Sequence, residues 1–144
     1  MRPLTFIMLN VVLALVVTSI DSAAQPVRTK DRYGNAVVYI DGSTLRVKDR
    51  YGDALFYLDG QTVRRKDRYG EAIYFIDGAT VRQKDRYGNA LYYFDGMSVR
   101  TKDRYGNPLA YIDGQTLREK DRYGDALYYF EGLPEKWVIA CLLR

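Results

Sequence analysis

Apolar and polar residues recur along most of this chain in one fixed rhythm. Ala36–Ile40 is a run of aliphatic and aromatic side chains. The pair Asp41-Gly42 follows, then Thr44-Leu45-Arg46-Val47, where polar and apolar positions alternate, then Lys48-Asp49-Arg50-Tyr51-Gly52. The glycine of Lys-Asp-Arg-Tyr-Gly returns at Gly34, Gly52, Gly70, Gly88, Gly106 and Gly124, always 18 residues on, without insertion or deletion. A strict period of this kind marks a repeat architecture. Branched and aromatic runs predict strands. Asp31 and Gly34 suit the first and fourth positions of a type I turn, with the glycine expected in the left-handed region of a bulged hairpin. Asp41-Gly42 is expected as a two-residue hairpin loop, which sets Tyr39 opposite Thr44 and Val38 opposite Leu45. Both connections are too short for a crossover, so neighbouring strands are expected antiparallel.

Alternation along the strands separates two faces. Ala36, Val38, Ile40 and Leu45, with Ala72, Tyr74, Ile76 and Val81 in the third repeat, form an almost uncharged face that is expected to point inward. Val37, Tyr39, Thr44 and Arg46 form the other. There Arg46, Arg64, Arg82, Arg100 and Arg118 are expected to lie over tyrosine rings while keeping their charge wet.

The ends of the series are cut out of phase. Val27-Arg28-Thr29 is a second strand without its first, whereas Leu127–Gly132 is a first strand followed by Leu133-Pro134-Glu135 instead of a second. Pairing the two odd strands would close the array and remove both sheet edges. The expectation is an all-β, closed antiparallel barrel of twelve strands built from six hairpin repeats; an open solenoid, which would want distinct capping units, is the alternative. Twelve tilted strands make a backbone ring roughly 24 Å across with a lumen of about 12 Å, about one α-helix wide. The C-terminal segment 133–144 could fill it. Pro134 and Glu135 suit a helix's first turn, and Trp137, Val138, Ile139, Cys141 and Leu142 are apolar on every side. A helix plugging the barrel is expected, against a thirteenth strand or an unstructured tail.

Residues 1–24 follow another pattern. A positive start, an apolar run from Leu4 to Ile20 of about 17 residues and the small residues Ser22-Ala23-Ala24 predict a secretory signal peptide cut between Ala24 and Gln25. A retained anchor is the alternative. The barrel domain is then 25–132, in a secreted, periplasmic or cell-envelope setting.

The net charge of +4 favours an anionic partner without naming one. Nucleic acid is not expected for an exported chain. Histidine is absent and Cys141 is the one cysteine, so most general-base, triad and metal arrangements and any intramolecular disulfide are excluded. The paired aspartates fall in turns, where they are expected to cap backbone N–H groups. No enzyme activity, metal or cofactor is expected, and the chain is expected to be a monomer. Lys30, Arg32, Tyr33 and Arg46 and their copies are not needed for turn geometry. The Lys-Asp-Arg-Tyr-Gly turns should share one rim, so Arg32, Tyr33, Arg50, Tyr51, Arg68, Tyr69, Arg86, Tyr87, Arg104, Tyr105, Arg122 and Tyr123 are the candidate binding residues. Such a rim could hold a lipid headgroup layer, a membrane surface or an anionic polysaccharide multivalently.

The repeated Lys-Asp-Arg-Tyr-Gly…Tyr-x-Ile-Asp-Gly-x-Thr-Val-Arg unit, in a short closed ring, resembles the β-flower families. Twelve strands about a C-terminal apolar helix are also similar in architecture to the Tubby C-terminal domain and its scramblase relatives, which implies lipid or amphiphile binding. Tyr92-Tyr93-Phe94-Asp95-Gly96 and Tyr128-Tyr129-Phe130-Glu131-Gly132 resemble choline- and glucan-binding cell-wall repeats, which are hairpin solenoids and imply polysaccharide binding between units. A purely structural module is the third reading.

Overall fold

The computed structural model describes residues 24–144. Residues 1–23, which carry the expected signal segment, lie outside the described residues, and the expected cleavage site Ala24-Gln25 falls at the start of the first strand. Twelve strands follow in order: β1 (Ala24–Thr29), β2 (Ala36–Asp41), β3 (Thr44–Val47), β4 (Ala54–Asp59), β5 (Thr62–Arg65), β6 (Ala72–Asp77), β7 (Thr80–Gln83), β8 (Ala90–Asp95), β9 (Ser98–Thr101), β10 (Pro108–Asp113), β11 (Thr116–Glu119) and β12 (Ala126–Phe130). Each is antiparallel to its neighbours, and β1 pairs with both β2 and β12. The sheet is a closed barrel, and the complementary odd strands at the two ends are what close it. Val27 stands opposite Phe130 and Arg28 opposite Tyr129 at this seam. Gln25, 4% exposed, fastens it: Gly132 N donates to its Oε1 at 2.7 Å, and its Nε2 donates to the Leu133 carbonyl at 3.2 Å.

Two turn details differ from expectation. Asp41 pairs with Thr44 and Ile40 with Leu45, so the hairpin loop is Gly42-Ser43, one residue further on. Gly42 has φ +62 whereas Ser43 does not turn positive, the sign pattern of a type II′ turn with glycine at its first central position. Moving a two-residue loop by one position slides the pairing by one residue on each strand. Each side chain therefore stays on its expected face: Val38, Ile40 and Leu45 are buried. Ala36 is the exception. The ladder between β1 and β2 breaks at Val37, which sets Ala36 opposite Arg28 and leaves it half-buried. The same break recurs between β3 and β4, β5 and β6, and β7 and β8.

The second detail concerns the longer turn. Gly34 N donates to the Asp31 carbonyl at 2.9 Å, the expected β-turn. The left-handed residue, however, is Lys30 at φ 64, with Lys48, Lys66, Lys84, Lys102 and Lys120 between 64 and 70. Gly34 is required for a different reason: a Cβ there would run into the carbonyl oxygen of Thr29.

The core is the barrel lumen, filled by α1 (Lys136–Leu143). Pro134 and Glu135, expected in its first turn, lie before it. Glu135 takes the N-cap position, its carboxylate accepting the Trp137 Nε1 hydrogen at 3.0 Å. Trp137, Val138, Ile139, Ala140 and Cys141 are buried, and Leu142 is half-buried. Eight residues span about 12 Å, close to the height of six tilted strand residues. In one core cluster with the helix are Ile40, Phe94 and Phe130 with their ladder partners Leu45, Val99 and Val27, together with Val63, Val81 and Leu117. Their burial, at about 25 cal/mol per Å² of apolar surface, is the main source of stability in a chain whose described part has no disulfide.

Candidate functional site: a basic and aromatic rim

One end of the barrel carries six copies of a rigid turn. In the first, Lys30 N donates to the Leu127 carbonyl of β12 at 3.0 Å, and Asp31 N reaches back to the Thr29 carbonyl at 2.7 Å. That second bond closes a three-residue turn around Lys30 and forces its positive φ, an arrangement rare for a residue with a side chain. Asp31 Oδ1 then accepts from Tyr33 N at 2.9 Å. Every repeat makes the same bond, as expected of turn aspartates. These carboxylates are therefore engaged in holding their own loops.

The remaining side chains of the turn point to solvent. Tyr33, Tyr51, Tyr69, Tyr87, Tyr105 and Tyr123 are 81–83% exposed. Each ring is covered by the guanidinium of the preceding arginine, 5.1–5.3 Å from the ring centroid. Arg32 and Tyr33 and their copies thus form six Arg–Tyr stacks on one rim, as the turn placement predicts. The six lysines lie beside them, exposed, and among the described residues no carboxylate forms an ion pair with any of their ammonium groups.

Arg46 and its copies, the other unassigned cations in the sequence, have structural work. Arg46 Nε meets Asp41 Oδ2 at 3.2 Å, and its Nη1 donates to the Gly52 carbonyl at 3.3 Å. The four pairs from Arg64–Asp59 to Arg118–Asp113 repeat this at 2.9–3.3 Å, and Arg28 with Glu131 completes the ring at 3.0 Å. These arginines stand opposite wall aromatics in the ladder, tyrosines as at Tyr39 and Arg46 except for Phe75 opposite Arg82, but the arginines that stack on tyrosine rings in this structure are those of the rim. An arginine held by a carboxylate and a carbonyl has its charge paired and its guanidinium fixed in place, although it keeps further N–H donors.

Wall pairing has an electrostatic consequence. The wall arginines cancel the acidic residues of the opposite rim, and Lys136 cancels Glu135. On the basic rim each turn brings Lys, Asp and Arg, one net positive charge. Arg65 and Glu119 cancel, and Asp53, Glu71 and Asp125 remove three of the six. Three of the chain's four net positive charges therefore sit on this rim, and Arg144 supplies the fourth.

Arg144 belongs to the same end. Lys136 Nζ donates to the Gly78 carbonyl at 3.2 Å, on the acidic rim, so α1 enters there and runs toward the basic one. Arg144, just past the end of α1, lays its guanidinium 5.6 Å from the Phe56 ring centroid. Around this end of the helix, Tyr74 and Tyr92 meet edge to face at 6.4 Å beside Cys141. Burial pushes the Tyr74 hydroxyl and the Cys141 thiol each up to about 12, and raises Tyr92 as well. A thiol held protonated in this way is a core side chain rather than a nucleophile. Among the described residues no cluster of three His, Cys, Asp or Glu side chains is gathered for a metal. At the acidic mouth an open cleft of about 490 Å³ lies between Leu58, Ile76 and Trp137.

The lysines are the feature that turn chemistry read from sequence misassigned. Their position before Asp is one where glycine or asparagine would be expected, and the appearance of lysine there in all six copies was the available signal. No curated protein and no solved structure matches the chain. A family model described as "6-fold beta flower protein" matches residues 45–136, well over half of the chain. With its six hairpins, closed ring and strict repeat, the chain belongs to the 6-fold beta flower family.

Proposed function

We propose that this protein is a non-enzymatic binding module whose Lys-Asp-Arg-Tyr-Gly rim engages an anionic partner at several turns at once. The observation that carries the reading is the set of six lysines. Each sits at positive φ, where an L side chain costs about 1–2 kcal/mol, and none is used in an ion pair among the described residues. Backbone strain combined with an unused charge is characteristic of functional positions. The Arg–Tyr stacks beside them add planar guanidinium donors, held over the tyrosine rings and suited to phosphate, sulfate or carboxylate groups. Individual contacts at such an exposed rim are weak; six on one rigid ring gain from effective concentration.

The partner fits either of two forms, a lipid or other amphiphile headgroup layer or an anionic polysaccharide, in the secreted or envelope setting that the N-terminal pattern suggests. By the resemblance drawn from the sequence, a Tubby-like architecture would favour the amphiphile, with no basic residue carried over one by one. The closed ring removes the solenoid architecture on which the cell-wall reading was drawn. Binding to glucan or choline columns would restore that reading.

Salt dependence tests the proposal. Retention on dextran sulfate or on anionic vesicles should weaken steeply as salt is raised, since the rim charges are exposed. Binding insensitive to salt, or absent at low salt, would assign the rim no role and leave a structural module.

A further inference from the structure

The rim is chemically sixfold but electrically lopsided, and the imbalance follows from residues flanking the turns. The third turn, Lys66–Gly70, has Arg65 and Glu71 at its sides, which cancel. The fourth, Lys84–Gly88, has Gln83 and Asn89, and the fifth, Lys102–Gly106, has Thr101 and Asn107. These three adjacent turns keep one net positive charge each. On the other half, the first turn keeps its charge, Asp53 neutralises the second, and Glu119 with Asp125 makes the sixth negative. One half of the ring thus holds three net positive charges and the other holds none.

We propose, building on the rim reading above, that the partner is an anionic lipid bilayer, met end-on and tilted so that the third, fourth and fifth turns lie nearest the headgroups. Three observations favour a bilayer over a soluble polymer. First, a closed ring of like repeats gathers six turns at one end of the barrel, and their tyrosine tips are exposed to solvent. Second, each tip carries a tyrosine more than four-fifths exposed, the side chain that collects at membrane–water interfaces. Third, the centre of this end is partly apolar: Leu142 and Leu143 are half-buried at the end of α1 beside Arg144. Cations, interfacial aromatics and an apolar centre on one end match the layering of a headgroup region.

The test is co-sedimentation with vesicles of phosphatidylcholine alone and of phosphatidylcholine mixed with phosphatidylglycerol, with dextran sulfate as the soluble competitor. The protein should bind only the mixed vesicles. Replacing Lys66, Lys84 and Lys102 together by Gln should weaken binding by on the order of 100-fold, from about 1 kcal/mol per surface cation. The control triple, Lys30, Lys48 and Lys120 to Gln, removes the same charge and should cost clearly less. Tyr69, Tyr87 and Tyr105 changed together to Ser should lower vesicle binding while leaving dextran sulfate binding intact. All these side chains are exposed, so thermal melts should match the parent and separate binding from folding. Equal losses in the two lysine triples would overturn the tilted arc. Dextran sulfate binding without vesicle binding would overturn the bilayer and keep the rim reading. Failure of both would remove the two together.

Discussion

At the scale of single residues, the repeat uses glycine for two distinct reasons. Gly60 has φ +66 and open space around its missing Cβ, whereas Gly70 has ordinary φ and no room, because Arg65 O occupies the place. Gly60→Ala should therefore cost about 1–2 kcal/mol, the usual penalty for a left-handed L residue. Gly70→Ala should cost at least about 3 kcal/mol, because the backbone itself must move. Chemical denaturation of the two single variants checks the order. Sequence alone made both residues turn glycines and gave the left-handed role to the wrong one in the longer turn. The reason is local: a turn pattern such as Asp-Arg-Tyr-Gly constrains hydrogen bonding within four residues, but the short contact between Gly34 and Thr29 depends on how the preceding strand arrives. Asp31, by contrast, was legible, because an aspartate bonding two residues on needs nothing beyond its own loop.

At the scale of elements, α1 is the best-read part of the chain. Its all-round apolarity implied complete burial, and the repeat count implied a lumen of matching width. Its start was misread by two residues because Pro134 and Glu135 suit a first turn equally well as a lead-in, and crossing the mouth from β12 consumes them. Burial in the lumen gives the molecule a defined alkaline limit. Cys141 is raised from 9.0 to about 12 and Tyr74 from 10.0 to about 12. The folded state thus holds protons that the unfolded chain releases first. Their contribution is fully present below about pH 9 and is lost as pH rises toward about 12. Thermal midpoints should be flat near neutrality and decline over that window. Cys141→Ala should soften the decline, and the native thiol should resist alkylation below it. A decline that begins near neutrality would contradict the burial account.

At the scale of the whole molecule, closure was legible because the repeat frame is cut in mid-unit at both ends, a feature visible only once the period is known. The seam is held by the Val27–Phe130 pairing, the Gln25 bonds and Arg28–Glu131. Removing Ala24–Thr29 should leave β2 and β12 with unpaired edges, and such edges recruit other chains. Light scattering on that truncated form should show association, where the parent is expected to be monomeric; a monodisperse, stable monomer would mean that closure contributes little. What no local reading could give is the charge distribution. The strand and turn pattern placed Arg46 on the wall and Arg32 on the rim, but not which carboxylates neutralise the wall arginines, because the Arg46–Asp41 pairing depends on the observed hairpin register.

The central claim is that the rim lysines are kept for a partner and not for the fold. The most direct test replaces Lys30, Lys48, Lys66, Lys84, Lys102 and Lys120 together by Gly. Glycine relieves the left-handed strain of about 1–2 kcal/mol per site and returns about 0.5–1 kcal/mol of backbone entropy, so the ring should be as stable or more so. The variant should then melt at or above the parent temperature and lose its retention on dextran sulfate. Unchanged retention, or a lower melting temperature, would contradict the account.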